Sequence, residues 1–223
     1  MVAAVTSLGQ PPSVVFLGGS GVRYAEWPPP PALAPWVGRL WEVRATRPFD
    51  LRILPDGCVD IIGGRVIGPF SAATVARLQP GSVARGVRLR PGAFPALFGM
   101  PASELLDARL PLAELSVERS LADLAAAARP PDPLAEAALR SRDVRGLVRV
   151  SGYSARQLRR RLVAATGHGP KRLERIGRMH AVLRAGRGES WSRTAAEHGY
   201  FDEAHLANDV RDLAGATPHA LVG

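Results

Sequence analysis

Pro130-Pro131-Asp132-Pro133 places three prolines in four residues, and no helix or ladder can run through it, because proline fixes φ and has no amide donor. The apolar residues keep different periods on its two sides. From Ser13 to Arg90, short Val/Ile/Leu/Trp runs alternate with Gly and Pro, the pattern of strands. Beyond it, apolar residues recur every three to four positions, the pattern of helices. The expectation is an α+β chain of two domains: a β-rich barrel or sandwich with short helices over 1–129, and an all-α domain over 134–223. At 223 residues, 46% of them hydrophobic, each part can bury a core.

In the first part the predicted strands are Val14–Leu17, Val37–Arg44, Phe49–Leu54, Val59–Ile62, Val66–Ile67, Thr74–Leu78 and Val83–Leu89. The tract from Pro28 to Pro31 must be extended. In the last strand Val83, Val87 and Leu89 form an apolar side and Arg88 a wet one, continued by Arg90. Short helices are expected at Gly92–Gly99 and Ser103–Ala108, and a longer one at Leu112–Ala128, with Leu115, Leu121 and Leu124 toward the core.

Pro55-Asp56-Gly57-Cys58-Val59-Asp60 joins turn residues, two carboxylates and the only thiol. A cysteine nucleophile needs a neighbouring base, yet all five histidines lie at or beyond His168. Cys58 therefore reads first as a small buried hydrophobe, with a redox or ligand-contacting role second. Trp36 and Trp41 are core or pocket walls, and Arg88 and Arg90 are solvated strand residues or the anchor of an acidic effector. Nothing in the chain calls for a metal, a cofactor or a catalytic group.

The net charge is +9, and it is unevenly spread. Residues 1–148 hold sixteen Lys/Arg against thirteen Asp/Glu, residues 149–187 eleven against Glu174 alone, and residues 188–223 two against six. A polyanion should meet the middle block first, because counterion release follows the local density of cations. No apolar run reaches membrane-span length and the start lacks a signal peptide's pattern, so a cytoplasmic protein without membrane association is expected.

The basic block holds a first helix-turn-helix unit at about 143–166. Asp143 can cap a helix to Val150, and Ser151-Gly152-Tyr153 turns the chain into a second helix. Ser154 and Gln157 stand in capping-box relation, Leu158, Leu162 and Ala165 form the apolar stripe, and Gly167 suits the position after the helix. Arg156, Arg159 and Arg160 stack at i, i+3 and i+4 on the first two turns, the part of a recognition helix that reaches base edges. Unpartnered, three adjacent cations would disfavour the helix. Lys171 to Ala185 follows as a basic helix burying Leu173, Ile176, Met179, Val182 and Leu183. A second unit occupies about 190–214, with Ser190 and Asp202 as caps and Tyr200, Phe201 and Trp191 expected in its core. Turn glycines Gly152 and Gly199 lie 47 residues apart and closing prolines Pro170 and Pro218 lie 48 apart, the mark of a duplication.

Gly152-Tyr153-Ser154, Leu158-Arg159-Arg160-Arg161-Leu162, Gly167-His168-Gly169-Pro170, Gly199-Tyr200-Phe201-Asp202-Glu203-Ala204-His205-Leu206 and Gly215-Ala216-Thr217-Pro218 resemble, in order, the DNA-binding domain of AraC/XylS-type transcription regulators. The resemblance covers about a third of the chain. It implies seven helices, with the 171–185 helix joining two units that can enter successive major grooves. Position by position it implies base contacts at Arg156, Arg159 and Arg160, and at Glu203, Ala204, His205 and Asn208 in the second unit; Ser154, Gln157, Arg161, Lys171 and Arg172 are expected to join them as further DNA contacts. Two departures stand out: Val148 replaces a small alanine, and Asn208 replaces an arginine, so the first unit should supply most of the affinity. Pro55–Asp60 and Gly86–Ala93 resemble an uncharacterised domain often fused to such regulators, which names no ligand.

The expected partners are double-stranded DNA and, through the first domain, a small-molecule effector, a second copy of the chain or RNA polymerase. Two other classes stay open: a DNA-alkylation repair alkyltransferase, which would need a reactive cysteine, and an architectural binder without sequence preference.

Overall fold

The computed structural model describes residues 4–5, 15–17, 21–115, 120–141, 144–186, 188 and 190–222. Its strands are β1 (Ala4–Val5), β2 (Val15–Leu17), β3 (Val22–Trp27), β4 (Val37–Ala45), β5 (Phe49–Ile53), β6 (Asp60–Ile62), β7 (Arg65–Ile67), β8 (Thr74–Leu78), β9 (Val83–Leu89) and β10 (Arg109–Pro111). An antiparallel sheet of seven runs β10-β7-β6-β9-β4-β3-β2, and a sheet of three runs β1-β5-β8. The two sheets face each other as a sandwich: Val22, Tyr24, Val43 and Ala45 of the larger pack on Leu51 and Leu78 of the smaller. The other face of the larger sheet, through Val37, Val59, Val66 and Leu89, is covered in part by Phe94 and Leu97 of α1 (Ala93–Phe98) and Ala125 of α2 (Leu121–Ala127).

Three local expectations change. The helix expected over Leu112–Ala128 is divided into a 3-10 turn at Leu112–Leu115 and α2, because Ser120 and Asp123 close a capping box that starts a new helix. β3 breaks its alternation, with Glu26 buried and Trp27 exposed, and β10 is only three residues long, so neither reads as a strand from its sequence. In β9 the sides are otherwise than expected: Val83 is half exposed, and Arg88 points into the sandwich, opposite Asp60 of β6.

From Leu134 onward the described residues form seven helices: α3 (Leu134–Arg140), α4 (Val144–Ser151), α5 (Ala155–Thr166), α6 (Pro170–Ala185), α7 (Trp191–Glu197), α8 (Glu203–Ala214) and α9 (Pro218–Val222). Asp143, the expected cap of α4, lies outside the described residues. The capping box of α5 is complete, with Ser154 and Gln157 each bonding the other's amide, and Gly167 and Gly215 end α5 and α8 in the left-handed conformation. α6 is the axis of the helical part, with Leu173, Ile176, Met179, Val182 and Leu183 all buried. At Gly177 it meets α3 so closely that a Cβ would lie 2.2 Å from the Leu139 carbonyl oxygen.

The two halves share a packed seam. Leu54 belongs to the helical core, and Ala73 packs against it. Between them Gly57, at φ +72°, lies against Leu173, Leu139 and Thr166, a position where left-handed backbone and close packing both favour glycine. His180 of α6 donates from Nε2 to the Pro55 carbonyl at 2.8 Å. Arg52 donates to the Ala214 carbonyl at 2.8 Å and the Ala73 amide to the Leu213 carbonyl at 2.7 Å, supplying partners to the end of α8. Pro69 and Leu106 lie against Gly167, at the end of α5. The β-rich half thus touches the C-terminal ends of both α5 and α8, away from their N-terminal turns.

Candidate nucleic-acid interface

α5 divides along its length. Leu158, Leu162 and Thr166 are buried, while Arg156, Gln157, Arg159 and Arg160 are exposed on its first two turns. Neither these three arginines nor exposed Lys171 has an ion-pair partner among the described residues. Ser154 and Gln157 are occupied as the cap, which leaves the outward amide nitrogen of Gln157 available.

The neighbouring cations are engaged. Arg161 pairs with Asp132 and lies 4.6 Å from the Tyr153 ring centre, so it ties the proline tract to the first unit. Arg172 reaches Asp212 at 3.2 Å and donates to the Ser71 carbonyl. Arg175 holds Asp209 and Asp212, each at 2.5 Å, and Arg178 lies 3.9 Å from Asp209 and 4.9 Å from the Tyr200 ring centre. Tyr200 donates to Asp209 at 3.1 Å, and burial pushes its phenol well above the ordinary range. Two acids of α8 that would have opposed phosphate are therefore neutralised against α6.

The outward side of α8 is different in character. Glu203, Ala204, His205 and Asn208 are all exposed. Glu203 accepts from Ser192 at 3.1 Å, and Asn208 Oδ1 accepts from Arg211 at 2.9 Å. The Phe201 amide donates to His205 Nδ1 at 3.2 Å, so a neutral His205 carries its proton on Nε2. Phe201, expected in the core with Tyr200 and Trp191, is 92% exposed. Tyr200 is buried in the turn, as is His198.

In the first domain the five singled-out residues do not form one site. Trp36 is buried in the core, with Nε1 donating to the Arg129 carbonyl at 3.2 Å. Arg90 bonds the Ala34 carbonyl and Glu136 of α3, both at 2.7 Å, which makes it another tie across the seam. The other three gather inside the sandwich. Arg88 lies 3.3 Å from Asp60 and 3.4 Å from Asp56, Trp41 donates to Asp60 at 2.8 Å, and Cys58 is buried beside Asp56. Arg88 is thus a buried ion-pair partner rather than a solvated strand residue. Burial, reinforced by Asp56, pushes the Cys58 thiol well up, which keeps it protonated and unreactive. Burial also raises the Asp60 carboxyl, against the pull of Arg88.

A groove of about 460 Å³ opens on the outer face of the large sheet, beside the part that α1 and α2 cover. Trp27, Leu40, Val87 and Ile61 are register neighbours across β3, β4, β9 and β6 and form its apolar wall, with Glu42 and Arg85 at the rim. Of the residues singled out in sequence it contains only Trp41. The others escaped because the wall is a row across four strands, a relation that only register reveals.

The fold and these surfaces define a two-domain α+β protein, a β-sandwich seated on a helical domain with a basic helix at its surface. Residues 25–111 match the family described as Domain of unknown function (DUF6597). Comparisons with curated proteins and with solved structures return no match. No helix among the described residues is long and apolar enough to cross a membrane.

Proposed function

We propose that this chain is a cytoplasmic, sequence-specific transcription regulator of the AraC/XylS type that binds double-stranded DNA through two helix-turn-helix units. One observation carries the reading. Arg156, Arg159 and Arg160 are exposed and, among the described residues, without an ion-pair partner on the first two turns of α5, whereas Arg161, Arg172, Arg175 and Arg178 around them are matched to acids. Cations kept free at the part of a helix that enters the major groove suit guanine O6 and N7 and the flanking phosphates. The first unit supplies most of the affinity. The β-rich half holds both units from behind, so an effector in the groove beside Trp27, or a second copy of the chain, would act on their relative placement.

The test is a competition titration of the full chain. Binding to duplexes from its own promoter region should exceed binding to scrambled duplexes by about a thousandfold or more at physiological salt. Equal affinity for both would remove the proposal.

A further inference from the structure

The two units are not copies in what they present. Their caps, Ser154 and Asp202, lie 48 residues apart, as do the glycines that close α5 and α8. At that interval Ala204 stands where the first unit has Arg156, His205 where it has Gln157, and Asn208 where it has Arg160. The turn glycines lie only 47 apart, so the second turn holds one more residue. That residue is Phe201: Tyr200 occupies the buried place, and the next side chain is extruded beside the first turn of α8. Its amide bond to His205 Nδ1 fixes the backbone there. A phenyl ring left 92% exposed against a helix start forgoes the burial such rings ordinarily have. On the same surface Asp209 and Asp212 turn to α6, while Glu203 accepts from the Ser192 hydroxyl and Asp202 from the His205 amide, so the two acids of the first turn keep their charge but are held in place.

From this we infer that the second unit reads A·T pairs, with Phe201 and Ala204 lying against thymine methyl groups and Asn208 addressing adenine. The inference rests on the proposed function and deepens it. Where arginine suits guanine, alanine and phenylalanine suit the thymine methyl, and asparagine suits N6 and N7 of adenine. Asn208 Oδ1 already accepts from Arg211, which sets the amide plane and leaves a second lone pair for an adenine donor. The operator therefore has a G·C-rich part under α5 and, about one helical turn away, a thymine-containing part under α8.

In vitro selection from a random duplex library with the full chain supplies the site, and anisotropy titration then compares thymine with uracil at each position of the second part. Removing a contacted methyl should weaken binding roughly fourfold, the equivalent of about 0.8 kcal/mol for one buried carbon. At the thymine that Phe201 covers, the uracil penalty should vanish in Phe201→Ser and persist in Phe201→Leu, while the penalty at the Ala204 thymine stays. Enrichment of the first part alone, or a uracil penalty equal in wild type and Phe201→Ser at every position, overturns the inference and spares the regulator reading. Enrichment of no sequence overturns both.

Discussion

Replacing Arg88 with methionine keeps the length of an apolar stem but removes the one cation between Asp56 and Asp60. All three side chains are 13–14% exposed, so the carboxylates cannot recover full hydration. Deleting one partner of a buried pair costs about 3–5 kcal/mol, and the residual exposure places this site near the lower end. For a chain of this size about 3 kcal/mol corresponds to a fall in Tm of roughly 6–12 °C. Asp60 is already raised by burial, with Arg88 as the chief opposing influence, and removing Arg88 raises it further. A carboxyl with a raised folded-state pKa contributes stability at low pH that is lost as pH rises through that value. The deficit of Arg88→Met should therefore be larger at neutral pH and shrink as the pH falls through the raised folded-state value of Asp60. Thermal unfolding at several pH values, followed by circular dichroism, measures both effects. The double variant Arg88→Met/Asp60→Asn should recover part of the loss. A deficit under about 1 kcal/mol, or one that does not shrink as the pH is lowered from neutral into the acid range, would refute the buried-pair assignment.

Gly177→Ala should destabilise by about 1–3 kcal/mol in urea unfolding, because the Leu139 carbonyl leaves no room for a methyl group and the clash outweighs the better helix propensity of alanine. Burial lowers the pKa of His168 and of His180, so both favour the neutral ring in the folded state. Their contribution is present above the ordinary value of 6.5 and is lost as pH falls through the folded value; acid should loosen the seam around Pro55, read as lower protection of the Gly57 and Cys58 amides relative to their intrinsic exchange. Cys58 should resist iodoacetamide at pH 8 until urea unfolds the chain, and rapid native alkylation would contradict its placement. Arg161→Ala should leave the salt dependence of DNA binding almost unchanged, since its guanidinium already serves Asp132, whereas Lys171→Ala should lower the slope by about one.

The helical half was legible to the residue in places. Ser154, Gln157 and Gly167 bound α5 as their chemistry requires, and Ser190, Asp202 and Gly215 do the same in the second unit. Local hydrogen bonding sets these ends, so local sequence reports them. α3 is the exception: its short Ala-rich run gains most of its stability from tertiary packing, above all on α6 at Gly177. In the sandwich the strands with strong apolar runs were found, but not their faces. Arg88 looked solvated because charge ordinarily means water, and its partners Asp56 and Asp60 lie some thirty residues earlier. Of the candidate interface, the arginine face of α5 was legible from spacing alone. Which neighbouring cations are already matched, and that Phe201 faces outward, depend on tertiary contacts that no local pattern encodes.

The salt dependence of DNA binding tests the central claim most directly. With six to eight phosphates neutralised, log K against log salt should have a slope of roughly −5 to −7 for the full chain. The triple variant Arg156→Ala/Arg159→Ala/Arg160→Ala should lose about three of those units together with its preference for promoter DNA. A slope near zero in the wild type, or an unchanged slope and preference in the triple variant, would contradict the account.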